Sequence, residues 1–235
     1  MKFATCLGQS PLTPMERSGL VERAKDLVRA GEIYTSGDSK VRETEETILD
    51  YQAGGPSFQY FVVVPVFRFT DIFLEHIKVK LTTWLNETAM FAVYVMVPKK
   101  VDDSLAMPES VSSYYEWSRA YRLAHDDQYP VGHNRQGRKA SINIMLNDVA
   151  DTGFNFYDPA KIPSERVRWI RNKDFWLTEG LEPSLAVKYK LNEAWVLDST
   201  KPHEVIHQNP APRYTLALSL MNTTYEEFLE KRACK

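Results

Sequence analysis

With 235 residues, 43% of them hydrophobic, the chain is long enough to bury a core and close enough to the usual ~100–200 residues per domain to be one folded unit. A net charge of −2 carries no basic excess, so a nucleic-acid partner is not expected. The longest apolar runs, 60–67 and 90–97, fall far short of the ~20 residues a membrane helix needs, so no membrane association is expected. Cys6 and Cys234 stand near the two ends and the first ten residues hold no apolar signal core, which together make a reducing cytoplasm the expected home.

Residues 14–30 carry Leu20, Ala24, Leu27 and Val28 at helical spacing and end at Gly31, which predicts an amphipathic helix. A polar turn at 35–39 leads to a second short helix over 41–51, broken by Ala53-Gly-Gly-Pro56. The apolar, β-branched and aromatic run 58–67 predicts a buried strand; Thr70-Asp71 is placed to cap a helix over 72–85, and 91–97 returns as a strand. These elements read as a supporting layer packed outside a β-sandwich. A polar loop over 99–112 follows, then an approach at 114–123 to a cluster beginning at His125, then a Gly- and Pro-containing connection over 128–137 suited to substrate contact.

Strict alternation over 140–147 sets Ser141, Asn143 and Met145 against Ile142, Ile144 and Leu146, a strand with one apolar face and one able to line a polar cavity. A shorter strand covers 153–157. The stretch 158–180 has no clear period and reads as a long loop or helical insertion. Strands over 184–190, 193–198, 203–207 and 213–221 and a helix over 225–232 complete the chain. The last three strands read as an antiparallel meander, with His203 and Arg213 at neighbouring strand starts.

In an extended chain residues i and i+2 share a face, so His125 and Asp127 can grip one ion while Asp126 points away. Adding His203 makes two imidazoles and one carboxylate, the facial triad of non-haem Fe(II) sites. His207 competes with His203 on the same strand, and His203 is preferred because it follows Pro202 at a strand start. Arg213 offers a planar fork for a carboxylate, and Thr215, two residues on, shares its face. Taken singly, each feature has a plain structural alternative: a polar turn for 124–130, an arginine opening a strand, a surface position for His76, packing for Trp195, a turn brace for Asp198.

Together, His125-x-Asp127, a distant His203 and Arg213 resemble the His-x-Asp, His, Arg order of the Fe(II)- and 2-oxoglutarate-dependent oxygenases. The run Glu193-Ala-Trp-Val-Leu-Asp198, followed by Pro202-His203 and Pro212-Arg213, is most similar to the aspartyl/asparaginyl β-hydroxylase group, which includes some free-proline hydroxylases. The resemblance extends from about Tyr121 to Leu220.

That resemblance implies a mainly β fold with flanking helices, a double-stranded β-helix of the cupin-like jelly-roll type. It implies a single domain over 1–235, with 1–98 as support and 113–222 as the catalytic β core. It also implies Fe(II) held by His125, Asp127 and His203, 2-oxoglutarate held by Arg213 and Thr215, with Ser141 or Asn143 as further contacts, and O2 as the oxidant. Arg138 and His133 become candidate substrate contacts for an amino acid, another small molecule or a peptide side chain. Asp127 favours hydroxylation, since related halogenases lack that carboxylate. Two alternatives stand beside this expectation: a β-sandwich scaffold that binds metal without turnover, and an oxidative nucleic-acid demethylase, which the missing basic excess disfavours.

Overall fold

The computed structural model describes residues 2–29, 34–35, 60–64, 66–68, 71–97, 123–126, 137–164, 167–170, 173–178, 180–207 and 211–233. The expected helix over 41–51, the connections 99–112 and 128–136, the approach 114–122, and Cys234 lie outside them. Among the described residues no helix is long and apolar enough to cross a membrane.

The strands, in chain order, are β1 (Ala4–Gln9), β2 (Tyr34–Thr35), β3 (Tyr60–Val64), β4 (Met90–Val97), β5 (Leu123–His125), β6 (Ala140–Met145), β7 (Thr152–Phe156), β8 (Val167–Ile170), β9 (Lys173–Leu177), β10 (Leu185–Lys188), β11 (Glu193–Leu197), β12 (His203–His207) and β13 (Arg213–Leu220). The α-helices among the described residues are α1 (Pro14–Arg29), α2 (Ile72–Leu85) and α3 (Tyr225–Ala233). The helix ends follow local chemistry. Thr13 and Glu16 form a capping box on α1, Thr224 and Glu227 another on α3, and Asp71 accepts the Leu74 N–H at the start of α2.

All pairings are antiparallel. A seven-stranded sheet runs β1-β11-β6-β13-β4-β3-β2, and a six-stranded sheet runs β10-β7-β12-β5-β9-β8. From β5 onward the chain passes back and forth between the two, with β8 and β9 added between β7 and β10: β5, β7, β10 and β12 lie in the smaller sheet, while β6, β11 and β13 lie in the larger. That alternation is the double-stranded β-helix, or jelly roll, expected from the sequence.

Three local expectations change. The last strands are not a meander, because β11, β12 and β13 never pair with one another; β12 crosses to the other sheet, as short connections over the end of a sandwich permit. The stretch 158–180 is neither loop nor helix. After a single helical turn at Pro159–Lys161 it forms the β8–β9 hairpin, with Ile170 opposite Lys173, and β9 then flanks β5. Nor do the strands of the first 98 residues lie outside the sandwich: β4 pairs with β13 from Arg213↔Met96 to Ser219↔Met90, because the free edge of β13 needs a ladder partner.

Two cores result. The outer one joins the larger sheet to the helices through Leu20, Ala24, Leu74, Ile77, Ile142 and Leu216; on α2 the buried stripe is Leu74, Ile77, Leu81 and Leu85, with Phe73 only partly covered. The inner one lies between the sheets and contains Phe3, Met145, Phe154, Phe156, Leu197 and Val205. Gly153 makes the close approach of β7 to β10 possible, since a Cβ there would lie 1.8 Å from the Val187 carbonyl oxygen.

Candidate active site

Strand register brings the two histidines together. His203, the first residue of β12, is the direct cross-strand partner of His125, the last residue of β5, and their ring centroids are 4.7 Å apart. His207 pairs instead with Thr152, at the other end of β12. The register therefore sets His203, rather than His207, opposite His125.

The turn before β12 holds the His203 ring. Asp198 Oδ1 accepts hydrogen bonds from the backbone N–H and the hydroxyl of Thr200, at 3.0 and 2.6 Å, so Asp198 braces this turn. The turn presents the Lys201 carbonyl to His203 Nδ1 at 2.9 Å. A carbonyl can only accept, so Nδ1 carries the proton and the neutral ring keeps its lone pair on Nε2, the tautomer a metal requires. Phe154 and Phe156 pack on the ring at 5.8 and 5.7 Å, making an apolar wall.

Arg213 stands on the facing sheet. Its Nη1 donates to the Ile206 carbonyl at 3.3 Å, three residues along β12 from His203, which is about 10 Å of strand. Its position was expected beside His203 at a neighbouring strand start; the register sets it toward the far end of β12. Asn147 fixes the start of β13, donating to the Pro212 carbonyl and accepting from the Tyr214 N–H, both at 2.8 Å. Arg213 Nε donates to Thr215 Oγ1 at 3.1 Å, and the guanidinium lies 5.7 Å from the Phe154 ring centroid and 5.6 Å from that of Tyr189.

Arg213 is only 1% exposed, and no carboxylate pairs with it among the described residues. Burial pushes its pKa down to about 10, partly countered by Tyr189, so it stays charged at neutral pH. A buried cation without a counter-ion is costly, and the geometry suits an incoming dianion with one end at the histidines and the other at Arg213. These donors fit both an Fe(II) ion and 2-oxoglutarate.

The polar side of β6 faces the space between the sheets. Ser141 and Asn143 are buried there, opposite Ser219 and Ala217 of β13, and Ser141 Oγ donates to Asn143 Oδ1 at 3.2 Å. Arg138 reaches the same face at the other end of β13, with Nη1 3.2 Å from the Tyr94 hydroxyl and 3.5 Å from Ser219 Oγ. Asp127 and His133 lie outside the described residues. Within the described set no three metal-ligating side chains gather, and the histidine pair is the part of the expected triad that the structure places.

Tyr189 and Tyr94 escaped the sequence reading. Tyr189 continues the alternation of Leu185 and Val187 at the end of a predicted strand, where it reads as one more packing residue, and Tyr94 lies in a strand assigned to support. Pairing of β4 with β13, far apart in the chain, has no local signal.

No protein-family model matches the chain, and no curated protein matches it in sequence. Solved structures do share its fold. The non-heme alpha ketoglutarate dependent carbocyclase SnoK from nogalamycin biosynthesis superposes with a TM-score of 0.55 at 10% identity, covering 98% of this chain and 86% of that one. The epimerase SnoN, solved with Fe3+, alpha ketoglutarate and nogalamycin RO, gives a TM-score of 0.51 at 12% identity over 94% of this chain and 79% of that one. At such identities the likeness establishes the jelly-roll fold found in oxygenases that use iron and 2-oxoglutarate.

Proposed function

We propose that this protein is an Fe(II)- and 2-oxoglutarate-dependent oxygenase that hydroxylates a small molecule, such as an amino acid, or a peptide side chain. One observation carries the reading: an imidazole pair from two strands faces a buried guanidinium, without a carboxylate partner among the described residues, about 10 Å further along β12, a separation suited to a five-carbon keto diacid.

His125 and His203, with Asp127 as the expected third ligand, would hold the metal on one face and leave positions open. Arg213 would take the distal carboxylate through charge-assisted hydrogen bonds. When bound, iron and 2-oxoglutarate supply oxidative decarboxylation and the oxidising power to attack an unactivated C–H bond. The chain supplies the rest. The Lys201 carbonyl keeps the His203 proton on Nδ1, Thr215 holds the guanidinium in plane, and Phe154, Phe156 and Val205 exclude water from the reacting centre. Arg138, on the same inward face, and His133 are the candidate substrate contacts, and Ser141 and Asn143 further cosubstrate contacts. The finer affiliation, with the aspartyl/asparaginyl β-hydroxylase group and a cytoplasmic location, rests on the Glu193–Asp198 and Pro-His, Pro-Arg pattern and on cysteine usage.

The test is succinate formation by purified protein with Fe(II), ascorbate and 2-oxoglutarate, across a panel of amino acids and peptides, with products weighed for a gain of one oxygen. A carbocyclase and an epimerase share the fold, so products are also examined for loss of two hydrogens and for inversion without mass change. Substrate-stimulated succinate that His203→Ala abolishes is expected; a variant that turns over like the parent overturns the reading.

A further inference from the structure

Tyr189 Oη is the one buried side-chain polar atom without a hydrogen-bond partner among the described residues. Native proteins rarely leave a buried hydroxyl unpaired, because its lost hydration is not returned, so the exception needs a cause. The Asn143 side chain lies close enough to the hydroxyl to act on its ionisation, yet makes no hydrogen bond of full geometry with it. The ring itself is well fixed, meeting Phe154 edge-on at 5.4 Å, and its centroid is 5.6 Å from the Arg213 guanidinium carbon. The tyrosine therefore stands beside a buried cation that has no anionic partner among the described residues.

Thr215 is differently placed. Its oxygen accepts from Arg213 Nε at 3.1 Å and its single proton is directed at Met145 Sδ, 3.8 Å away. Both capacities face the protein, so Thr215 acts on the guanidinium rather than on a ligand. Burial raises the Tyr189 pKa against the opposing pull of Arg213, which keeps the phenol neutral. An ionised phenolate would neutralise Arg213 and repel a carboxylate; a phenol donates to one.

We infer that Tyr189, rather than Thr215, supplies the hydroxyl that joins Arg213 in binding the distal carboxylate of 2-oxoglutarate, an assignment that rests on the function proposed above.

The experiment compares the parent chain and Tyr189→Phe, each loaded with Mn(II), by calorimetric titration with 2-oxoglutarate and with 2-oxopentanoate, which keeps the keto-acid end and lacks the distal carboxylate. The melting midpoint of each protein without metal is measured alongside. Tyr189→Phe should weaken 2-oxoglutarate by about tenfold while leaving 2-oxopentanoate within about twofold of the parent, since only the first ligand loses a charge-assisted hydrogen bond. Its metal-free melting midpoint should equal or exceed the parent's, because the group removed has no protein partner. Undiminished 2-oxoglutarate binding, equal weakening of both ligands, or a lowered melting midpoint each overturns the assignment while leaving the oxygenase reading in place. A parent protein that binds neither keto acid overturns that reading and this assignment with it.

Discussion

The two faces of β6 and β13 differ in chemistry but not in burial. Every residue of both strands is buried, yet Ile142, Ile144, Leu216 and Leu218 meet the helices while Ser141, Asn143, Arg213 and Thr215 meet the space between the sheets. If burial alone governed residue choice, both faces would be apolar, since a buried polar group without full compensation costs free energy. The outward face stabilises the fold. On the proposed function the inward face keeps groups that a ligand would satisfy, and that division of labour can be broken one side at a time.

The largest effect on stability should come from the outward side. Leu216→Ala leaves a void against the helices where no solvent can enter, and should lower unfolding free energy by about 2–5 kcal/mol in a denaturant titration. Turnover per folded molecule should stay near that of the parent. The matching change on the inward side is Arg213→Met, which replaces a buried cation, unpaired among the described residues, by an apolar chain of similar length. Stability should hold or rise, while the 2-oxoglutarate concentration for half-maximal rate increases by roughly 10- to 150-fold, the loss of about 1.5–3 kcal/mol of charge-assisted bonding. A drop in stability without a change in cosubstrate requirement would reverse the assignment of the two faces.

The smallest effect sharpens the contrast with a polar group in the helical layer. Burial raises the Glu16 pKa, but hydrogen bonds from Lys80 and Thr13 and the Lys80 charge outweigh it and bring the value to about 2. His76 adds a contact at 3.1 Å, so a histidine expected to be merely superficial helps link α2 to α1. With the folded pKa depressed, this contribution is complete above the ordinary carboxylate range and is lost as pH falls toward about 2. Unfolding measured against pH should therefore show the parent more stable than Glu16→Gln at neutral pH, with the gap closing on acidification and activity unaffected.

Much of the inward face was legible because period-two alternation is local. Ser141 and Asn143 oppose Ile142 and Ile144 in the chain itself, and the structure sets them on opposite sides of the sheet. Pro202-His203 and Pro212-Arg213 likewise stand at strand starts, where Pro interrupts the ladder. The 158–180 stretch was misread because its two strands are short and their apolar residues, Trp169, Phe175 and Leu177 among them, do not alternate cleanly. Tyr189 was missed because an unpaired hydroxyl is a property of its surroundings, and no neighbour in sequence announces it.

By itself the sequence determined the helices over 14–30, 72–85 and 225–232 and the strands from 140 to 157 and from 184 to 221, which of their residues share a face, and which side chains bear chemistry suited to metal and carboxylate, since these follow from spacing of two or four residues. The tertiary structure alone decided which sheet each strand joins, that His203 rather than His207 lies across from His125, that β4 completes the ladder beside Arg213, and that Tyr189 stands next to it. Those outcomes depend on hydrogen-bond register between segments far apart in the chain, as between β4 and β13, and register is selected only when both sheets close over a common interior.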